Sequence, residues 1–111
     1  MIINFKGRKV EVGVKRADSF GKVSGLMFKG SNTSNLLFEF GRKNFHSIHS
    51  LFVFFPFLAV WLDGNEVVGC EIVKPFRFSV VPSKKFDRLV EIPLNLRNFG
   101  IVKFLVDKAK I

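Results

Sequence analysis

Residues 47–73, SIHSLFVFFPFLAVWLDGNEVVGCEIV, contain the longest apolar stretch of the chain and decide which kind of fold it can adopt. The uninterrupted apolar run, Leu51–Leu62, has 12 residues, whereas a membrane-spanning helix needs about 20. Pro56 lies in the middle of this run, where it would break a helix. Phenylalanine, valine and tryptophan also favour strands over helices. The stretch therefore predicts buried β-structure and no membrane association.

An Asp-Gly pair divides the second half of this stretch into two β-rich runs. Asp-Gly between two such runs is typical of a β-hairpin, so we predict strands over Phe57–Leu62 and Glu66–Val73. The first run does not alternate between apolar and polar residues, which indicates that both of its faces are covered. We expect it to lie at the centre of the core.

Five further segments alternate apolar and polar residues, as strands with one solvated face do. The side chains predicted to face inwards are Val10, Val12 and Val14; Leu36, Phe38 and Phe40; Phe76, Phe78 and Val80; Val90, Ile92 and Leu94; and Val102, Phe104 and Val106. The intervening residues, including Glu91 and Lys103, are predicted to face solvent. Gly7 is expected to turn the first strand back onto the second.

Two short helical segments are also predicted. Asp18 can cap a helix over residues 17–25, which Gly25 can end, and residues 95–100 favour a second helical turn. Seven or eight short strands in a flat sheet would leave exposed edges. The sequence therefore predicts a mostly β (β-rich α+β) fold in a single domain over residues 1–111. We expect a small closed or partly open barrel with one or two short helices.

The charge of the chain is unevenly distributed. The net charge is +9, and it resides in residues 1–30 and 71–111, on either side of a nearly neutral middle. Such a charge attracts polyanions without defining a specific partner. Cys70 is the single cysteine, so no intrachain disulfide can form. Together with an N-terminus that lacks an apolar export segment, this predicts a cytoplasmic protein.

Several sequence elements occur in an order that resembles a known family. They are GLMF at residues 25–28, SNLLFEF at 34–40, the stretch around Pro56 with LDGN at 62–65, and EIP at 91–93 before GIVKFLVDKAKI at 100–111. From about Val10 onwards the chain is similar to the small β proteins grouped as domain of unknown function 192. SIHS at 47–50 resembles archaeal-looking members. The resemblance implies a compact β fold with a short helix before the GLM element, and no established reaction or ligand.

Two positions depart from that family's pattern. Phe54 stands where the family usually has a basic or polar residue, and Ala59 where it usually has Asp, shortly after the proline. Both residues are apolar here. The resemblance therefore does not carry over a polar pocket built on that Asp.

The first functional hypothesis is a non-enzymatic binding module with a groove between the GLM segment and residues 46–50. These irregular segments interrupt regular strands, and binding groups concentrate in such segments. The ligand-binding candidates are Leu26, Met27 and Phe28 for apolar contacts, and Ser47, His49 and Ser50 for hydrogen bonds. The partner is an unknown ligand or protein, and no cofactor is predicted. The alternative for the GLM element is that it fills one mouth of the barrel.

Two alternatives belong to other functional classes. A nucleic-acid-associated basic β-barrel would use Lys9, Lys15, Arg16, Lys84, Lys85 and Arg88. The inward alternation of the phenylalanines leaves few rings to stack on bases. A hydrolase or metal enzyme would use His46 and His49. Positions i and i+3 of a strand face opposite sides, and no spacing of further ligands accompanies these histidines.

Overall fold

A computed structural model describes residues 1–17, 25–27, 29–45 and 47–110 of the protein. Within these ranges there are seven strands and one helix: β1 (Ile2–Phe5), β2 (Arg8–Glu11), β3 (Lys15–Arg16), β4 (Leu36–Asn44), β5 (Phe57–Asp63), β6 (Glu66–Val73), β7 (Phe86–Pro93) and α1 (Phe99–Ala109). The predicted mostly β class is confirmed. The helix predicted over residues 17–25 lies outside the described residues, apart from its two ends.

All seven strands form one sheet in the order β2-β1-β6-β5-β7-β4-β3. The two edge strands, β2 and β3, are separated in sequence by residues 12–14 alone. Because each residue spans at most about 3.5 Å, Glu11 and Lys15 lie within about 14 Å of each other. The sheet must therefore curl until its edges approach, and it forms a half-barrel, the partly open version of the predicted barrel.

The predicted hairpin is the centre of this sheet. β5 pairs antiparallel with β6 on one side and with β7 on the other. Gly64 makes the turn with a φ of 60°. Each residue from Phe57 to Leu62 is at most 2% exposed, which confirms that both faces of β5 are covered. The Gly7 turn between β1 and β2 is also confirmed, with Lys6 and Gly7 both in the left-handed region.

The sheet separates two apolar cores. Phe57, Ala59 and Trp61 of β5 face the first core, which also contains Leu26, Leu36, Phe38, Val53, Phe55, Val73, Val80, Phe86 and Leu89. Leu58, Val60 and Leu62 face the second core, which also contains Ile3, Phe5, Val12, Leu37, Val90, Ile92 and Leu105. The irregular segments around Val53 and Val80 cover the first core, and α1 covers the second.

The alternation of three predicted strands corresponds to inward-facing side chains. Val10, Val12 and Val14 pack in the second core, Leu36, Phe38 and Phe40 in the first, and Val90, Ile92 and Leu94 in the second. The prediction of one solvated face is wrong for the strand that contains Val90. β7 lies between β5 and β4, and its Glu91 is 5% exposed.

The predicted strand over residues 101–106 is wrong, because these residues belong to α1. Ile101, Val102, Leu105 and Val106 all pack in the second core, and this i, i+1, i+4, i+5 spacing places them on one face of a helix. Such a short apolar run fits both the two-residue period of a strand and the 3.6-residue period of a helix. No helix within the described ranges combines the length and the apolar character needed to cross a membrane.

The predicted strand around residues 76–80 is also wrong. Its one strand-like contact is an isolated bridge between Val80 and Ile48. Phe76 has a φ of 62°, which is incompatible with an extended strand. Phe76 and Phe78 are 51% and 83% exposed instead of facing inwards.

Candidate functional site

Two irregular segments run antiparallel to each other: residue 45 with residues 47–56, and residues 74–85. Together we call them the ribbon. Ile48 and Val80 exchange two backbone hydrogen bonds of 2.9 and 2.8 Å. Near one end Lys85 Nζ lies 5.9 Å from the centre of the Phe45 ring. At the other end the rings of Phe54 and Phe76 meet edge to face with centroids 5.6 Å apart. The ribbon is therefore a continuous surface element over the first core.

Ser50 holds the two halves of the ribbon together from inside. It is fully buried, and its Oγ donates to the Lys74 carbonyl at 2.6 Å and accepts from the Arg77 N–H at 2.6 Å. Its own carbonyl accepts from the N–H groups of Val53 and Phe76 at 3.1 and 2.8 Å. The structure thus places Ser50 at an internal junction and not on an accessible surface.

Ser47 and His49 lie on the exposed side of the same segment. Nδ1 of His49 accepts a hydrogen bond from the Leu51 N–H at 3.2 Å. A neutral imidazole that accepts at Nδ1 carries its proton on Nε2. His49 can therefore donate a hydrogen bond to a ligand. His46 lies outside the described residues.

The GLM segment forms a turn against the first core. Leu26 is 1% exposed and Met27 is half-buried, and the Lys29 N–H donates to the Leu26 carbonyl at 3.2 Å. Met27 packs against the same core as Ile48 of the ribbon. The structure therefore brings the two predicted segments to one side of the sheet, while Phe28 lies outside the described residues.

A buried acid lies behind the GLM turn. Glu91 stands between Leu36 of β4 and Ala59 of β5 in the sheet register, on the first-core face. Its Oε1 lies 3.4 Å from the position that a Cβ on Gly25 would take, and Gly25 has a φ of 52°. Burial raises the pKa of this carboxyl to about 8. The sequence placed Glu91 in solvent, and the one pointer to it was the EIP element.

A second acid lies in the same row of the sheet. Ala59 pairs with Glu71 of β6 on its other side, so its small side chain separates two glutamates. Glu71 is exposed and forms a salt bridge with Arg77 of the ribbon, with Nη1 3.7 Å from Oε2. The exposed, ion-paired glutamate of this row therefore lies at the margin of the first-core face, and the buried Glu91 lies nearer its centre.

Five phenylalanines project from the ribbon into solvent. Their exposed fractions are 48% for Phe45, 49% for Phe52, 60% for Phe54, 51% for Phe76 and 83% for Phe78. Phe52 and Phe76 adopt φ values of 58° and 62°, in a region that bulky residues rarely occupy. Each such residue costs about 1–3 kcal/mol. The Ser50 carbonyl accepts a hydrogen bond from the N–H of Phe76 itself.

All charged side chains of the ribbon are positively charged. Lys74, Arg77, Lys84 and Lys85 are all exposed, and residues 45–56 and 74–85 contain no aspartate or glutamate. The ribbon therefore presents rings and cations together.

The predicted nucleic-acid contacts lie in separate places. Lys84 and Lys85 belong to the ribbon. Arg16 and Arg88 both pair with Glu39, at 2.6 and 3.9 Å. Lys9 and Lys15 line shallow open grooves of about 300 and 290 Å³ that Gly100 and Arg97, respectively, also line. The structure does not bring the six residues together.

No group of three metal-binding side chains occurs within the described ranges. Cys70 is half-buried with its Sγ 3.8 Å from the Leu105 carbonyl, and burial raises its thiol pKa. A raised pKa disfavours the reactive thiolate.

Comparisons with known proteins identify two solved structures with a similar fold. The chain matches no protein-family model, and no curated protein sequence matches it. A protein from Sinorhizobium meliloti 1021 that carries the name "putative transcription regulator" is similar in structure, with a TM-score of 0.72 and 19% identity over 94% of this chain and 81% of that one. A protein of unknown function from Novosphingobium aromaticivorans DSM 12444 gives a TM-score of 0.67 and 15% identity over 90% and 76% of the two chains. At these identities the similarity shows a shared fold.

Proposed function

We propose that the protein is a non-enzymatic binding module whose site lies between the GLM turn and residues 47–50. The observation that carries this proposal is the packing of Met27 and Ile48 against one core on the same side of the sheet. Half-buried Met27 supplies an adaptable apolar surface. Exposed His49 supplies a hydrogen-bond donor. Binding sites commonly combine an apolar lining with a few polar groups of this kind.

The surroundings of this site favour binding over catalysis. Ser50 has its hydroxyl engaged with two backbone groups, so it is not a free nucleophile. Glu91, with a pKa of about 8, is largely uncharged at neutral pH and therefore places no buried charge behind the turn. Among the described residues of the site, no hydrogen bond joins a serine hydroxyl to a base.

Two further proposals accompany this function. We place the chain in the family grouped as domain of unknown function 192, and the proximity of Gly25 to the Glu91 carboxyl supports this because it brings together two elements of the resemblance. We also place it in the cytoplasm, since a single cysteine suits a reducing compartment.

The test uses the fluorescent probe 1-anilinonaphthalene-8-sulfonate, which carries an apolar ring system and one anionic group. Met27→Ala and His49→Ala are each expected to weaken probe binding several-fold without changing the circular dichroism spectrum. Ile2→Ala is the matched control, because Ile2 is an exposed apolar residue on β1, away from the ribbon. Equal probe affinity in all four proteins would contradict the proposed site. Unfolding of both site variants would assign Met27 and His49 to structure instead.

A further inference from the structure

We propose that the ribbon binds single-stranded nucleic acid, with its exposed phenylalanine rings stacking on bases and its cations contacting phosphates. This inference rests on the proposed function and names a ligand class for the surface beside the same site. The sequence argued against such a ligand because the phenylalanines were predicted to face inwards. The structure reverses that premise for Phe76 and Phe78, and it also exposes Phe45, Phe52 and Phe54.

The rings are distributed along the whole ribbon. Phe45 lies at one end beside Lys85, Phe54 and Phe76 form an edge-to-face pair at the other, and Phe78 is the most exposed of the five. Proteins that bind single strands use such separate aromatic rings, because every base offers a face for stacking. The ribbon thus provides several stacking positions along one path.

The cations follow the same path as the rings. Lys74, Phe76, Arg77 and Phe78 are near neighbours in sequence, and Lys84 and Lys85 lie at the Phe45 end. The ribbon itself carries no acidic side chain that would repel a phosphate. Glu71, which lies outside the ribbon, binds Arg77 at 3.7 Å. A strand that alternates bases and phosphates matches this alternation of rings and cations.

The backbone of the ribbon is held in a fixed shape. The Ser50 carbonyl binds the N–H groups of Val53 and Phe76, next to the two strained residues Phe52 and Phe76. Strained backbone of this kind tends to occur where a protein positions side chains for function. A prearranged surface also reduces the entropy lost on binding.

The same observations disfavour a lipid bilayer as the occupant. Deep insertion of Phe76 and Phe78 among acyl chains would draw Arg77, which lies between them, and its salt bridge with Glu71 towards the hydrocarbon. Arg77 would have to extend back to the headgroups to avoid the cost of burying a charge, so this pair is compatible only with shallow contact between the two rings and a bilayer. A nucleic acid would leave Arg77 solvated and give it a phosphate partner.

The decisive experiment measures the fluorescence anisotropy of a labelled oligothymidylate of about 12 nucleotides as full-length protein is added. Phe78→Ala is expected to weaken binding about tenfold, within the range for losing one stacking ring. Phe78→Leu keeps apolar bulk without a stacking face, so it should weaken binding as much. Phe99→Ala is the matched control, because Phe99 is 66% exposed on α1 and outside the ribbon. This control should bind like the wild type.

The salt dependence tests the cations. Between about 50 and 200 mM salt, the logarithm of the affinity should fall linearly with the logarithm of the salt concentration. Lys85→Gln is expected to reduce that slope by about 0.7, the value for one contact to a single-strand phosphate. Lys9→Gln, on β2, is expected to leave the slope unchanged.

Four outcomes would overturn the inference. They are no binding of the oligonucleotide at low salt, equal binding by Phe78→Ala and the wild type, equal binding of a duplex of the same length, and a loss of affinity in Phe99→Ala as large as in Phe78→Ala. Binding to phosphatidylserine vesicles that Phe78→Leu retains, without oligonucleotide binding, would assign the ribbon to lipid. If the naphthalene probe still depends on Met27 and His49 while the oligonucleotide fails, the proposed function stands and this inference alone is wrong.

Discussion

At the scale of single residues, Glu91 couples the stability of the fold to pH. Burial raises the pKa of its carboxyl from an ordinary value of 4.5 to about 8. Between these values the folded protein holds a proton that the unfolded chain releases. The free energy of unfolding contributed by Glu91 is therefore fully present below about pH 4.5 and falls as the pH rises towards 8, by at most about 1.4 kcal/mol per pH unit.

We predict that Glu91→Gln removes this pH dependence, because glutamine has the shape of the protonated acid and does not ionise. Urea unfolding of the wild type and the variant at several values between about pH 5 and pH 8 measures it. Glu11→Gln, at an exposed position on β2, is the control and should retain the wild-type slope. A Glu91→Gln curve parallel to the wild-type curve would show that Glu91 does not bind the proton.

Ser50 gives a second prediction at this scale. Ser50→Ala leaves the Lys74 carbonyl and the Arg77 N–H without their buried partner, and each unsatisfied group costs about 1–3 kcal/mol. We expect the free energy of unfolding to fall by about 2 kcal/mol or more in urea titrations. Ser47→Ala, at an exposed position, should change it by less than about 0.5 kcal/mol. Equal stability of the two variants would contradict the connecting role of Ser50.

Glu91 and Ser50 show that the sequence could not predict which polar side chains are buried. The alternation of apolar and polar residues around Glu91 fits an edge strand and a central strand equally well. Whether the polar face of such a strand is covered depends on neighbouring strands that lie far away in the sequence. Ser50 was predicted to contact a ligand, but it is fully buried and its hydroxyl binds two backbone groups. Its direction, inwards, depends on Lys74 and Arg77, which are more than 20 residues away.

At the scale of elements, α1 is anchored by one fully buried side chain. Leu105 is 0% exposed and packs in the second core. We predict that Leu105→Ala lowers the free energy of unfolding by about 2–5 kcal/mol, since it removes a large apolar group and leaves a cavity. Thermal and urea unfolding measure the change. Lys103→Ala, on the exposed side of α1, should cost less than about 1 kcal/mol, because it removes only a surface ion pair with Asp107.

A pair of buried amides joins the elements around the open side of the half-barrel. Asn98 Nδ2 donates to Asn35 Oδ1 at 2.9 Å and to the Pro93 carbonyl at 2.8 Å, and Asn35 Nδ2 donates to the Gly13 carbonyl at 2.8 Å. These bonds connect β7, the start of α1, the residue before β4 and the connection between β2 and β3.

We predict that Asn98→Ala lowers the free energy of unfolding by about 1–3 kcal/mol, because it leaves Asn35 Oδ1 and the Pro93 carbonyl unsatisfied. Asn65→Ala is a suitable control for differential scanning calorimetry, since the Asn65 side chain accepts a hydrogen bond from Arg88 at an exposed position. A smaller effect at Asn98 than at Asn65 would contradict the linking role of the pair.

The hairpin of β5 and β6 was predictable because the Asp-Gly turn and the flanking runs are local features. α1 was not, because valine, phenylalanine and isoleucine over six residues fit a strand and a helix equally well. What selects the helix is the second core, which needs a cover on the far side of the sheet. The strand predicted around residues 76–80 failed because Pro75 and Pro82 lie close to it and Phe76 adopts a left-handed backbone.

At the scale of the whole molecule, the excess of positive charge opposes compaction. Eighteen basic residues face nine acidic ones, and self-repulsion of a strongly charged surface destabilises the compact state. We predict that the melting temperature rises by a few degrees when sodium chloride screens this repulsion, on the order of 1 kcal/mol. Calorimetry in chloride and in sulfate at equal ionic strength measures the shift. A melting temperature that falls with salt would indicate that the surface ion pairs outweigh the repulsion.

The candidate site could be recognised only from the three-dimensional structure. The sequence singled out both the GLM segment and residues 47–50, and the structure places both on the first core. The sequence could not predict that Glu91 lies behind the GLM turn, nor that residues 45–56 lie beside residues 74–85. Both arrangements depend on contacts between distant parts of the chain. Phe76 and Phe78 were misassigned for the same reason, since alternation assumes a regular sheet partner that their segment lacks. Phe52 and Phe54, in the run predicted to be buried, are exposed because that run joins the sheet only at Phe57.

The short connection between the two edge strands sets the radius of curvature of the entire sheet. Residues 12–14 act as a spacer, and a chain with a longer spacer would be free to flatten and to offer β2 and β3 to neighbouring molecules. Open strands of that kind promote strand exchange and aggregation. Keeping this spacer at three residues thus limits pairing between the strand edges of neighbouring molecules.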